Sequence, residues 1–173
     1  MTAATHVAIL TTCSGVAEQQ ATNGTIALLN LDAQIDGLES EVGVERWTVE
    51  GRIGFIELIT LRGLILGRVA DYERAEEVAE QLVRDATTEG AAFFARARTR
   101  AVFHRFADAL ADIDVAEQLS LDAEAANSER AAIFQALGRY DEALSILEDA
   151  ARRQNDMVHG AMEKHVKRML PYG

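Results

Sequence analysis

The chain has 173 residues, of which 49% are hydrophobic and 6% aromatic, with one proline and one cysteine. This length suits a single domain that buries roughly two thirds of its unfolded surface, and the composition is typical of an alanine- and leucine-rich helical protein. A formal net charge of -11 argues against general binding to nucleic acid or anionic lipid, since both require clustered positive charge.

Cysteine content and hydropathy bear on the cellular location. Because Cys13 is the only cysteine, an internal disulfide and a cysteine-based zinc site are both excluded. No stretch approaches the roughly 20 apolar residues that span a bilayer. The apolar run Val7–Leu10 is too short for a signal peptide and has no Lys or Arg before it. We expect a cytoplasmic protein without a membrane partner.

The first 50 residues predict two helices. The first covers residues 3–20, and Asn23-Gly24 is expected to break the chain so that Thr25 caps a second helix. The second helix ends at Gly43. Its apolar residues share one face, namely Leu28, Leu31, Ile35, Leu38 and Val42. Trp47 follows in a connector, where we expect it to wedge the helix pair against the next segment, with stacking on a ligand as the alternative.

The helix that begins near Arg52 is apolar almost all round, which predicts burial on several sides. Its apolar residues are Ile53, Ile56, Ile59, Leu61, Leu64 and Leu66. Gly63 and Gly67 lie four residues apart, a spacing that lets a neighbouring helix approach closely. After a turn at Ala70-Asp71, a second helix is expected over Tyr72–Asp85. Its inward positions are Ala75, Val78, Ala79 and Leu82.

The same two-helix unit follows twice more. Helices are predicted over Ala91–Phe103 and Phe106–Leu119, and then over Ala125–Leu137 and Tyr140–Arg153. A last helix, Asp156–Leu170, stops before the single proline. We expect this helix to cover the exposed end of the third unit.

A period of 34 residues relates the three units. It aligns the aromatic residues that open the second helices, Tyr72, Phe106 and Tyr140. It also aligns small or apolar residues at three further positions: Gly63, Ala97 and Ala131; Ala75, Ala109 and Ala143; and Leu82, Ala116 and Ala150. Small side chains are needed where two helices cross closely, because larger ones would overpack the contact.

This period and these residues resemble the tetratricopeptide repeat family, whose unit is a 34-residue antiparallel helix pair. The resemblance implies an all-α, right-handed solenoid formed by a single domain, residues 1–173. Residues 1–50 would form an N-terminal helix pair, residues 52–155 three repeat units, and residues 156–173 a capping helix and tail. The family's proline at the end of each unit is replaced here by Thr87, Leu121 and Asn155.

The resemblance also implies a groove for an extended peptide, lined by the first helix of each unit. The lining positions are Glu57, Thr60, Leu64, Arg68, Phe94, Arg98, Val102, Ser128 and Gln135. Some members hold a chaperone's C-terminal carboxylate with lysine, asparagine and arginine, which are absent from the matching positions here, so that ligand is excluded. The mixed apolar and basic surface suits an amphipathic helix or a peptide with an acidic residue near an apolar anchor. Alternatively, the N-terminal helices or a second copy cover the groove.

Two columns of charge follow the same period. The arginines are Arg62, Arg96 and Arg130, and the carboxylates are Glu80, Asp114 and Glu148. We expect these columns to pair within or between units, because a guanidinium fork matches a carboxylate. Pairs such as Arg96/Asp114 and Arg130/Glu148 would fix the register of the helices more than they add stability. A row of arginines that binds an anionic ligand is the alternative.

The residues favour a non-catalytic adaptor that binds a protein or peptide, with a homodimer as one form of partner. The alternative from another class, a small anionic-ligand binding or catalytic protein, would use Arg96, Arg98, Arg100 and His104. Because the helix is expected to turn near His104, a role as a helix cap explains that residue more simply. A self-associating regulatory subunit is the third hypothesis. We predict no catalytic residue, metal, cofactor or nucleic-acid partner.

Overall fold

A computed structural model describes residues 14–42 and 48–169. All regular structure in these ranges is helical, which confirms the predicted all-α class. The helices are α1 Ser14–Val42, α2 Val49–Leu66, α3 Val69–Asp85, α4 Gly90–Val102, α5 Phe106–Gln118, α6 Ala123–Ala136 and α7 Tyr140–Met169. The chain divides into two compact units, residues 1–75 and residues 76–173. The predictions for residues 3–13 and for Trp47 lie outside the described residues.

In the N-terminal unit, α1 is one helix where two helices and a break were predicted. It runs through Asn23-Gly24, so Thr25 is not an N-cap and that prediction was wrong. A glycine at an exposed helix position costs only about 1 kcal/mol relative to alanine, which the rest of a long helix can offset. The predicted apolar face is confirmed at its centre, where Leu31 and Ile35 are buried.

The ends of α2 are defined by two specific residues. The Thr48 side chain accepts a hydrogen bond from the Gly51 amide at 3.1 Å and caps the N-terminus. Gly67 adopts a left-handed conformation with φ of 65° and ends the helix, so the chain turns there and not at Ala70-Asp71. Close packing is confirmed for Gly63 alone, because a Cβ there would lie 3.1 Å from the Tyr72 ring.

Burial on α2 differs from the prediction. Its middle turns bury Phe55, Ile56 and Ile59. Its last turns expose Leu61, Leu64, Ile65 and Leu66. The expected burial on several sides was therefore wrong for the C-terminal half, since an apolar circumference does not determine how many helices pack against it.

The C-terminal unit contains two helical hairpins, α4/α5 and α6/α7, joined by turns at residues 103–105 and 137–139. The ends of α4, α5 and α6 lie within two residues of the predicted ones. The core combines small and branched side chains, namely Ala97, Ala109, Ile113, Ala126 and Ile133. Helices approach closely around it: a Cβ on Gly90 would lie only 2.7 Å from the Ala116 carbonyl oxygen.

Helices α4, α5 and α6 end in the same type of cap. The residues after them, His104, Ser120 and Gly138, have φ values of 57°, 68° and 74°. After α4, the His104 amide donates to the Ala101 carbonyl and the Arg105 amide donates to the Arg100 carbonyl, the pattern of a Schellman motif. His104 thus takes part in the cap through its backbone amide, one residue after the C-cap Phe103.

Helix α7 continues for 30 residues, where a shorter helix and a separate capping helix were predicted. The predicted end at Arg153 and the separate helix from Asp156 were wrong. Gln154, Asn155 and Asp156 include no proline or glycine, so nothing in the backbone stops the helix between them. Consequently no separate capping helix is present in the described part of the chain.

Candidate functional site

Arg62 joins three helices of the N-terminal unit. Its Nε and Nη2 donate to the two carboxylate oxygens of Asp71 at 3.0 and 2.8 Å, and its Nη1 donates to Asp32 at 2.9 Å. Arg62 lies on α2, Asp71 in the first turn of α3, and Asp32 on α1. Since Asp71 is buried, this bidentate pair fixes the geometry of the α2–α3 turn.

Arg96, Arg100, Asp112 and Glu80 form a charged group in the C-terminal unit, called here the Asp112 cluster. Arg96 donates to both oxygens of Asp112 at 2.9 and 2.7 Å, and its Nη1 donates to Glu80 at 3.0 Å. Arg100, one turn later on α4, donates to the same two carboxylates at 2.8 and 2.9 Å. Asp112 is 3% exposed, so the two guanidiniums replace nearly all of its hydration.

Arg130 provides a second link between successive helix pairs. Its Nη2 lies 2.7 Å from Asp114 and 2.8 Å from Glu117, both on α5. Asp114 precedes Arg130 by 16 residues, and Glu80 precedes Arg96 by the same number. The predicted pairing of the charge columns is thus confirmed for Arg96 and Arg130, between successive helix pairs, whereas Arg62 pairs with Asp32 and Asp71 outside the acidic column.

The suggested pairs within a unit are not formed. Arg96 contacts Asp112 in place of Asp114, and Arg130 has no ion pair with Glu148 among the described side chains. Glu80 and Asp114 therefore connect α3 to α4 and α5 to α6, and neither pairs with the arginine of its own hairpin.

Hydrogen bonding maintains the charges in the Asp112 cluster. The bonds to Asp112 raise the pKa of Arg96 above its ordinary value, against the opposing effect of burial. Burial by itself would raise the pKa of Glu80, but the hydrogen bonds from Arg100 and Arg96 outweigh it and hold that pKa below its usual value. Both residues are therefore ionised at neutral pH.

The four residues of the predicted anion site, Arg96, Arg98, Arg100 and His104, do not form a group of donors that are available to a ligand. Arg96 and Arg100 donate to Asp112 and Glu80, so an anionic ligand would have to displace two carboxylates. Arg98 is exposed and its Nε lies 3.9 Å from a Glu129 oxygen. The His104 ring packs edge-on against Phe106, with centroids 5.4 Å apart. This geometry favours structural roles for both buried arginines.

The predicted groove positions of the C-terminal unit lie on α4 and α6, which contact each other directly. Four of them are exposed: Arg98, Val102, Ser128 and Gln135. Phe94 is half-buried and packs against the Ala97 and Ile113 core, so it acts mainly as a core residue. Burial raises the pKa of Glu129, while the neighbouring Arg98 opposes that rise.

The predicted groove positions of the N-terminal unit are also mostly exposed. Glu57, Leu64 and Arg68 face solvent, and Leu64 retains 71% of its accessible surface. Thr60 is half-buried, and its hydroxyl has no hydrogen-bond partner within the described structure. Arg68 Nε lies 3.7 Å from Asp71. These positions thus combine one exposed leucine with two exposed charged side chains.

The 34-residue period does not reveal Asp112, the central acceptor of the Asp112 cluster. The residues 34 positions before and after it are Val78 and Ile146, both apolar, so no column reveals it. A different signal was present, because Asp112 falls beside Ala109, Ile113 and Ala116 on the inward face of α5. A carboxylate on such a face requires a cationic partner.

Metal sites, membrane spans and known families give no further assignment. Among the described side chains, no three His, Cys, Asp or Glu are grouped to hold a metal ion, and no helix in the described ranges is long and apolar enough to cross a bilayer. No protein-family model matches the sequence, and no curated protein matches it significantly. The geometry of the described residues is therefore the basis for a functional proposal.

Proposed function

We propose that this chain is a non-catalytic binding module of the tetratricopeptide type, whose ligand is a peptide or protein segment lying across α4 and α6. The observation that carries the proposal is the exposure of Arg98, Val102, Ser128 and Gln135 on two helices in direct contact. In the 34-residue register, α4 and α6 are the first helices of successive pairs. Helical repeat proteins use extended surfaces of this kind to bind their partners.

The chemistry of this surface indicates the type of ligand. It offers one cation, one aliphatic side chain and two neutral hydrogen-bonding groups, which suits a peptide with an acidic residue near an apolar anchor. The contact of Arg98 with Glu129 is long, at 3.9 Å, and surface ion pairs contribute only about 0–1 kcal/mol. A ligand carboxylate would compete with Glu129 for the exposed Arg98 guanidinium.

The charged residues elsewhere support a binding role over a catalytic one. Arg62, Arg96 and Arg130 each donate to two carboxylates, which gives them structural roles within the helix array. His104 provides a helix cap through its backbone and packs its ring on Phe106. These contacts leave the surface of α4 and α6 as the better candidate for function.

A peptide library tests the proposal. Random 16-residue peptides displayed on phage would be selected against the full chain, and selected peptides measured by fluorescence anisotropy. We expect enrichment of Asp or Glu near a large apolar residue, and at least a tenfold loss of affinity, about 1.4 kcal/mol, for Arg98→Glu or Val102→Asp. Arg84→Glu, an exposed charge reversal on α3, is the matched control and should bind normally.

Two results would overturn this proposal. One is a selection that yields no peptide binding above background. The other is a set of peptides that bind the Arg98→Glu, Val102→Asp and wild-type chains equally well. Circular dichroism of each variant would show whether its helices are retained.

A further inference from the structure

The second half of α7 has no helix to pack against in the described part of its unit. Among those helices α7 contacts α6, which has 14 residues against 30 in α7. At 1.5 Å per residue, α7 is about 45 Å long and α6 only about 21 Å. In proteins most helical stability comes from the packing of an apolar face, so this half would gain stability from a packing partner.

Exposed apolar side chains run along one face of α7. They are Tyr140, Leu144, Leu147 and Val158, called here the α7 stripe. At 100° per residue these four positions fall within about 60° of one another. In the preceding hairpin the residues equivalent to the first three are Phe106, Leu110 and Ile113, which pack into the core with α6. The α7 stripe therefore has the composition of a helix-packing surface but is exposed.

We propose that the α7 stripe binds the same stripe of a second copy of this chain, with the two α7 helices antiparallel. The sequence spacing is symmetric about positions 154 and 155. Apolar or partly apolar residues occupy positions 140, 144, 147 and 151 on one side, and positions 158, 162, 165 and 169 on the other. A two-fold antiparallel pair places 140 opposite 169, 144 opposite 165, 147 opposite 162, and 151 opposite 158. Such reciprocal contacts define an isologous dimer.

The charge distribution along α7 selects the antiparallel orientation and the second copy as occupant. Residues 140–150 carry four carboxylates and no Lys or Arg, whereas residues 151–169 carry five Lys or Arg and two carboxylates. An antiparallel pair places the acidic half of each helix beside the basic half of the other. A parallel pair would place like charges together, which is unfavourable. The two halves of one helix thus carry complementary net charge, −4 from four carboxylates and +3 from five Lys or Arg less two carboxylates.

The mass of the full chain in solution tests the dimer. Light scattering at about 100 μM protein would detect association with a Kd of about 10 μM or tighter. We expect twice the chain mass of 18.9 kDa for wild type, and the monomer mass for Leu147→Glu. Leu29→Glu, at an exposed leucine of α1, is the matched control and should remain dimeric. A wild-type chain that is monomeric, or a Leu147→Glu chain that still dimerises, overturns the proposal.

Cysteine cross-linking tests the orientation in a Cys13→Ser background. In the antiparallel pair the two copies of position 154 lie beside the symmetry axis, while the two copies of position 147 are about 22 Å apart along the helices. A disulfide requires Cα atoms within about 7 Å. We expect Gln154→Cys to cross-link on mild oxidation and Leu147→Cys not to do so. Cross-linking of Leu147→Cys at a similar rate would refute the antiparallel arrangement. Neither experiment depends on peptide binding at α4 and α6.

Discussion

Replacing Asp112 by Asn removes the central acceptor of the Asp112 cluster. Asp112 accepts two hydrogen bonds from Arg96 and one from Arg100, and its side chain is 5% exposed. The Asn side chain has nearly the same volume, but it carries no charge and offers one acceptor oxygen where the carboxylate offers two. Two largely buried guanidiniums would then share Glu80 and a single amide oxygen.

The expected loss follows from these contacts. Hydrogen bonds to charged groups contribute about 1.5–3 kcal/mol each, so the three bonds of Asp112 set an upper limit of roughly 4.5–9 kcal/mol. Asn restores one acceptor and Glu80 keeps its own bonds, which brings the estimate into the range of about 3–5 kcal/mol measured when one partner of a buried ion pair is removed. We expect about 3 kcal/mol, or a fall in Tm of about 6–12 °C for a chain of this length.

Urea unfolding followed by far-UV circular dichroism measures this loss. The control is Asp114→Asn, two residues later on the same helix, where the side chain is 63% exposed and Arg130 keeps its bond to Glu117. That variant should lose less than about 1 kcal/mol. If the two variants lost similar stability, or if Asp112→Asn lost less than about 1 kcal/mol, burial would not govern the strength of these pairs and the reasoning would fail.

Two further predictions concern stability at single positions. Gly138 has φ of 74° at the cap after α6, so Gly138→Ala should lower the free energy of unfolding in urea by about 1 kcal/mol. His104→Gly, at the equivalent cap after α4, should leave this free energy unchanged or raise it. Equal losses in the two variants would contradict the cap geometry. Burial raises the pKa of Glu129 in the folded chain, so folding favours the protonated carboxyl. This stabilisation is fully present below the pKa of the unfolded chain and is lost as the pH rises through the pKa of the folded chain. Glu129→Gln should therefore raise Tm at neutral pH and leave it unchanged below about pH 4, and a neutral-pH decrease would show that the contact with Arg98 outweighs burial.

The 34-residue period predicted the packed positions well because it reports a steric requirement. Ala75, Ala109 and Ala143 are each at most 1% exposed. A small residue recurs wherever two helices cross at close range, so such positions are visible in the sequence without knowledge of the neighbours. The helix ends of α4 and α6 were predictable for a related reason, since their caps at His104 and Gly138 are 34 residues apart.

The ends of the chain were less predictable, because their helices depend on weak local signals. The sequence predicts breaks at Asn23-Gly24 and at residues 154–155, but a helix runs through each of them. Neither segment contains proline, and the helix penalty of one exposed glycine is only about 1 kcal/mol. The exposed residues at the end of α2 were missed for another reason: hydrophobicity measures the tendency to be buried, while burial also requires a neighbouring helix.

The candidate site was predicted in part. The groove positions on α4 and α6 are exposed as expected, apart from Phe94, whose ring belongs to the core. For the arginines, residue chemistry predicted carboxylate partners, but only the fold shows which ones. Arg96 pairs with Asp112 and not with Asp114 because Asp112 lies on the inward face of α5, where the Arg96 guanidinium is also buried.

The charge links between successive hairpins do not continue through α7 in the described part of the chain. Each link joins a carboxylate of a second helix to an arginine 16 residues later, as in Glu80/Arg96 and Asp114/Arg130. The next pair in this series would be Glu148 and Lys164, but both lie on α7, about 24 Å apart along its axis. No ion pair forms at that separation. In the described structure α7 therefore lacks a charge link like the one that joins α5 to α6, and no helix covers it as α6 covers α5.

This asymmetry separates the two proposed surfaces. A dimer through the α7 stripe would cover the exposed face of α7 while leaving the exposed positions of α4 and α6 available to a peptide. Leu147→Glu should therefore abolish dimerisation with less than a twofold change in the affinity for a selected peptide, below about 0.4 kcal/mol. Arg98→Glu should do the reverse, keeping the dimer mass while losing the peptide. If Leu147→Glu abolished both activities in a folded chain, peptide binding would depend on the dimer and the two surfaces would be coupled.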